Sequence, residues 1–194
     1  MNATDFEVIE SFLIVILPLL ITMLTFSIIF IFALFIMVIT VVITGFPLYT
    51  MAKNAGFKKP FYAYIPFLST YLMTILPKKD FNIWNFIVIK ERKKASIIST
   101  FVINSSIILL ILCAIPFVSL LVMPIFSMIS PILGIAIYIF QWKIYYDLFV
   151  TYRMGENALL FSILSLFVPL MGIIMLFIIM NNEPDYGYNN FDVD

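Results

Sequence analysis

The sequence predicts an all-α integral membrane protein with about four transmembrane helices and one interfacial or re-entrant helix. Three observations carry that expectation. Of 194 residues, 63% are hydrophobic and 11% charged, against about 45–50% and about 25% in ordinary soluble domains. The mean hydropathy is +1.13, more apolar surface than a short soluble chain hides, since such a chain buries only about 70% of its surface. The apolar residues also come in long unbroken runs, with the charges gathered between them.

The first apolar run extends from Ser11 to about Pro47 without a charge. One crossing needs about 20 residues at about 1.5 Å each. Pro18 and the polar stretch Thr22–Ser27 therefore divide the run into a lead-in over 8–19 and a tilted span over 20–46. The acidic stretch before it, with Asp5, Glu7 and Glu10, argues against a signal peptide. The segment 47–94 is basic and contains two shorter apolar stretches. Phe61–Leu76 has Lys58 and Lys59 on one side and Lys78 and Lys79 on the other. Lysines at both ends favour one compartment for both, so 61–76 reads as interfacial or re-entrant. Phe81–Ile89, with Trp84 and two asparagines, suits the membrane interface.

The run from Ala95 to Phe140 is long enough for two crossings, and Pro116, Pro124 and Pro131 place the turn near 117–124. Spans are expected over 95–117 and 122–143. Gln141, Trp142 and Lys143 mark the interface, and Lys143 faces Asp147 one helical turn on. A last span follows over 157–180, then an acidic tail over 181–194.

The formal net charge of zero conceals a partition. Nine of the 11 basic residues lie between Lys53 and Lys94; Glu183, Asp185, Asp192 and Asp194 follow the last apolar run. Basic loops face the cytoplasm. The segment 47–94 is thus expected inside, with both acidic termini outside. Lys58, Lys59, Lys78, Lys79, Lys90, Arg92, Lys93 and Lys94 form a candidate docking face for anionic lipids, at about 1 kcal/mol per basic residue near the surface, or for a protein. Asn104, Ser105 and Ser106 lie near the bilayer middle of their span, as interhelical hydrogen-bonding or pore-lining groups.

Two places share a helix-stop pattern: Lys53 followed by Gly56, and Arg153 followed by Gly155. Basic residues favour the negative end of the helix dipole, and glycine takes a left-handed cap. Each is followed by an apolar stretch holding a proline, Pro66 or Pro169, which raises the prospect of a duplicated unit. The stretch Ala55-Gly56-Phe57-Lys58-Lys59-Pro60-Phe61-Tyr62-Ala63-Tyr64-Ile65-Pro66-Phe67 resembles the signature of a family of small bacterial multi-pass membrane proteins known only as a domain of unknown function. Arg153-Met154-Gly155 with Pro169 is similar to that group's second signature. The chain departs from the pattern at Lys58–Phe61, where the group often has Gly-Trp, and at Ser69 and Thr70, where it often has Tyr-Asn. The resemblance implies a helical membrane protein of the bacterial cytoplasmic membrane. It implies no activity.

Catalysis lacks its usual groups. There is no histidine, so serine–histidine chemistry is excluded. No two carboxylates fall inside an expected span, as an aspartyl protease would need. The one cysteine, Cys113, cannot form an internal disulfide, and reads as a small apolar residue. No metal or cofactor site is expected, and no nucleic-acid partner. By elimination the sequence points to a non-enzymatic accessory, scaffold or immunity-type component acting on lipid and on another membrane protein or peptide. The alternative is a small-solute transporter or permease subunit; an intramembrane enzyme ranks last.

Overall fold

A computed structural model describes the backbone of residues 3–113 and 116–191, and the side chains of residues 16–109 and 124–191. The described residues are mostly helical, with six α-helices in the order α1 (Ala3–Ala55), α2 (Leu68–Ile75), α3 (Arg92–Cys113), α4 (Pro116–Thr151), α5 (Ala158–Phe167) and α6 (Pro169–Ile179). Strands β1 (Phe81–Ile83) and β2 (Ile87–Ile89) form an antiparallel hairpin between α2 and α3. Two helices, over Ile16–Ala55 and Pro124–Thr151, are long and apolar enough to cross a membrane by length and composition. Side chains of Asp5, Glu7, Glu10, Cys113, Asp192 and Asp194 lie outside the described residues.

The chain divides into two units, Met1–Thr40 and Val41–Asp194. In the first, every side chain from Leu17 to Thr40 is exposed. The expected break at Thr22–Ser27 is absent. Thr22, Thr25 and Ser27 each donate to the carbonyl four residues back, so the hydroxyls are satisfied inside the helix.

The second unit holds the core. Leu48, Met51 and Ala52 of α1 pack with Leu72 and Ile75 of α2, Leu148, Phe149 and Tyr152 around the end of α4, Ala158 of α5, and Leu176 and Ile179 of α6. This burial explains why α1 runs on past the expected end at 46. Proline inside a helix costs about 3 kcal/mol, but the two turns after Pro47 bury Leu48, Met51, Ala52 and Ala55 almost completely. A fully buried leucine-sized side chain returns about 1.5–3 kcal/mol.

Three further expectations change. The stretch 61–76 is not one helix: a 3-10 turn over Pro60–Tyr64 stops before α2. Pro66 forces the residue before it into extended conformation, and Ile65 sits at φ −103 and ψ 119. The expected turn at 117–124 is helical, because Pro116 opens α4, where a missing N–H costs nothing. Pro131 then removes a hydrogen bond to the carbonyl of Ser127, and the Ser130 hydroxyl donates to that same oxygen at 3.3 Å. The helix also continues past 143, as Ile144, Leu148 and Phe149 are buried.

The expected span over 157–180 is a hairpin of two short helices. Val168 is extended and Pro169 starts α6. A Cβ on Gly172 would lie 3.4 Å from the Cβ of Ser165, so the legs lie side by side. The chain returns to its origin, where the Asn182 amide donates to the carbonyl of Tyr152 at 2.9 Å. Legs of 10 and 11 residues reach about 15–17 Å each, roughly half a bilayer core of about 30 Å.

Gly56 occupies the left-handed end of α1 at φ 87, and Phe57 N–H donates to the Ala52 carbonyl at 2.9 Å. At the end of α4 the equivalent position is taken by Arg153, at φ 60, with Met154 N–H on the Phe149 carbonyl at 3.0 Å. Gly155 lies beyond the cap, opening a 3-10 turn at φ 63.

Two glycine substitutions should move stability in opposite directions. A Cβ at Gly56 meets the Cα of Asn189 at 2.8 Å, whereas nothing lies within 4 Å of one at Gly134. Gly56→Ala should cost about 1–3 kcal/mol, and Gly134→Ala should gain up to about 1 kcal/mol in mid-helix. Thermal melting of the detergent-solubilised protein reads both.

Candidate functional site

The basic segment, the end of α4 and the C-terminal tail meet at one end of the second unit. Arg92 is the second residue after Lys90 in the charged run, and α3 begins with it. Its side chain turns inward instead of joining the docking face expected for it. Nε donates to the Thr74 carbonyl at 2.5 Å, and Nη1 donates to the Lys79 carbonyl at 3.2 Å and to Asp147 Oδ2 at 2.8 Å. The guanidinium lies 5.2 Å from the ring centre of Phe81. Lys143 Nζ donates to the other Asp147 oxygen at 2.7 Å, matching the facing pair expected from spacing. The Arg92 and Asp147 side chains are 6% and 8% exposed.

Two cations flank one carboxylate, with exposed Asp80 adding a more distant attraction. A buried ion pair contributes little net stability when intact, but removing one partner strands the other. Both Asp147 oxygens are engaged, so the cluster acts as a tie between α2, α3 and α4.

The remaining basic residues have separate surroundings. Lys79 pairs with Asp185 at 2.6 Å, and Lys94 with Glu91 at 2.8 Å. Lys78 donates to the Asn190 carbonyl and lies over the rings of Tyr186 and Phe191. Lys59 lies 5.8 Å from the ring centre of Tyr62. Lys53, Lys58, Lys90 and Lys93 are exposed. The candidate polar set on α3 is turned onto its own helix: Asn104 donates to the Thr100 carbonyl and Ser105 to Val102, while Ser106 is exposed.

The sequence set the tail apart from the basic segment; residues 181–191 instead lie against it. The tail supplies donors to three helix ends. Asn189 and Phe191 N–H groups reach the Asn54 and Ala55 carbonyls of α1, each at 3.0 Å. Asp185 N–H reaches Thr151 of α4 at 2.8 Å, and the Tyr186 hydroxyl reaches Leu76, just past α2, at 3.0 Å. These terminal carbonyls have no partner within their helices. Tyr152, between α1 and α4, donates its hydroxyl to the Met51 carbonyl at 3.3 Å.

Sequence reasoning missed the Arg92–Asp147 pair and this clasp. One signal was available for the pair: Asp147 is the sole acid between Glu91 and Glu156. A carboxylate in an apolar helix calls for a cationic partner, and Lys143 alone already meets that need by spacing. The clasp rests on backbone donors, which leave no mark in side-chain pattern. Trp84 stacks on Trp142, centroids 5.3 Å apart, and Trp142 on Tyr146. Among the described residues no three metal-ligating side chains come together. Comparison with family models, curated proteins and solved structures gives no match.

Asp147→Asn should destabilise the protein by about 3–5 kcal/mol, since it leaves the buried Arg92 and the partly buried Lys143 without their carboxylate. Replacing Arg92, Lys143 and Asp147 together by apolar residues of similar volume should cost much less, and comparison of their melting temperatures checks this. Burial raises the phenols of Tyr152 and Tyr186 well above their usual 10.0. The stability they lend is complete below about pH 10 and is lost as the pH climbs through the raised values. Alkaline titration should therefore release the tail, with tyrosinate absorbance appearing late and cooperatively, and Tyr186→Phe should delay the release.

Proposed function

We propose that the chain is a multi-pass protein of a bacterial cytoplasmic membrane that works by contact, as an accessory, scaffold or immunity-type component. One observation carries the membrane reading: Leu17–Thr40 is a helix with every side chain exposed and almost every one apolar. Its hydroxyls are satisfied on their own backbone, which suits hydrocarbon, where no water can serve them.

The proposed topology has three crossings, by α1, α3 and α4, and a half-depth re-entrant hairpin, α5–α6. The basic segment faces the cytoplasm by the positive-inside rule. The C-terminal tail then faces it too, paired through Lys79–Asp185 and Arg153–Glu183, and the N-terminus lies outside. The docking face narrows to the exposed lysines Lys53, Lys58, Lys59, Lys90, Lys93 and Lys94. A half-depth hairpin also favours a second reading, a small-solute permease subunit, because non-spanning helix pairs occur where they line a cavity or a path.

Single cysteines at Lys58, Lys93 and Tyr188, with Cys113 replaced, should all be protected from an impermeant thiol reagent in intact cells, and one at Asp5 should react. Reaction at position 188 with protection at 58 would overturn the topology. Vesicles holding the purified protein alone should show no solute flux; saturable flux would replace the contact role with the permease reading.

A further inference from the structure

We propose that the β1–β2 hairpin is an anchor for anionic phospholipid, seated in the headgroup layer of the leaflet that faces the basic segment. This rests on the membrane reading above and names the partner of the docking face.

The turn is the first observation. Trp84 and Asn85 both have positive φ, at 47 and 61, within the three-residue turn between the paired Ile83 and Ile87; two successive positive φ angles make the type I′ geometry that favours Asn-Gly. Asparagine tolerates that region; a bulky tryptophan is a true outlier in it. The conformation is held by Phe86 N–H on the Ile83 carbonyl at 2.9 Å, Asn85 N–H on Asn82 Oδ1 at 2.8 Å and the Asn82–Asn85 side-chain bond at 2.7 Å. Backbone strain maintained by three hydrogen bonds points to a use for the indole it presents.

The second observation is what the hairpin exposes. Phe81 and Ile83 are buried against α3 and α4. The turn exposes Trp84 at 73%, although it also stacks on Trp142, and Phe86 at 90%, and the outer face of the strands exposes Val88 at 50%. Such a patch on a two-stranded sheet with open edges would invite aggregation in water. Directly after it come Lys90 and Lys93, both exposed, and no ion pair is formed by either among the described residues. Exposed aromatics followed by unneutralised lysines, placed where a crossing helix begins, match an anionic interface in polarity and charge.

A groove of about 460 Å³ lies between Trp84, Trp142, Ile139, Leu159 and Ile163. It is apolar and of a shape to take an acyl chain of the same lipid. Trp142 forms one wall of it, stacked on Trp84 with ring centroids 5.3 Å apart.

Trp84 and Trp142 are the two tryptophans in the chain, so its tryptophan fluorescence reads this place. The full-length protein is reconstituted in phosphatidylcholine vesicles, with or without phosphatidylglycerol, carrying bromine either high on the acyl chain or near its end. High bromines should quench most, and more strongly when the brominated lipid is the anionic one. Lys90→Gln with Lys93→Gln should bring that anionic gain down to the phosphatidylcholine level, and Phe86→Ser should weaken quenching by high bromines. Equal quenching by both brominated lipids would overturn the anionic assignment. Ready quenching by aqueous acrylamide, with none by bromine, would overturn the anchor and leave the hairpin to a soluble protein partner. Flotation of the protein with the vesicles separates the two readings: floating with a water-exposed hairpin sinks only the anchor, and failure to float sinks the membrane reading itself.

Discussion

A guanidinium removed from water must find oxygen, and Arg92 finds it on three separate segments. Thr74 fixes the end of α2, Lys79 fixes the approach to the hairpin, and Asp147 fixes α4. The start of α3 is thereby set against the last turns of α4, which makes the two helices antiparallel neighbours. The hairpin closes over the tie, with Phe81 lying on the guanidinium and packing on Phe140. Lys143 completes the balance on the far carboxylate oxygen. In a bundle whose helices meet largely through apolar contact, this cluster supplies register.

The same end of the molecule has a second problem of satisfaction. Helices α1 and α4 both stop here, α2 ends beside them, and each leaves carbonyls without partners. The tail answers with main-chain N–H groups and one phenol. Its carboxylates would sit poorly at the negative ends of helix dipoles, and Lys79 and Arg153 lie against them. The acidic tail and the basic segment, which look in sequence like labels for two compartments, thus pack together at one end, joined by Lys79–Asp185.

Much of the helical content was legible because the longest helices are written as long apolar runs. Lys143 and Asp147 were legible because helical spacing is local. What stayed hidden has a common cause. Prolines were read as stops, yet Pro47, Pro124 and Pro131 lie within helices, since burial at Leu48 and Met51 or a neighbouring serine offsets the lost bond. Conversely, Pro66 and Pro169 do break the chain, and nothing in their own residue type separates the two groups. The contact between the tail and the basic segment stayed hidden because charge sign was read without its pairing, and pairing across the chain is invisible in one sequence.

The clasp also has a consequence in time. Asn54 and Ala55 finish α1 early in synthesis, but the amides that cap them belong to Asn189 and Phe191. Helices form locally and quickly, whereas contacts between distant parts of a chain carry a loop-closure cost. The carbonyl ends of α1, α2 and α4 therefore wait, hydrated, while the rest of the bundle is made. Closure of this end therefore requires segments far apart in the chain to have met, and its cost falls on the contact made last along the sequence.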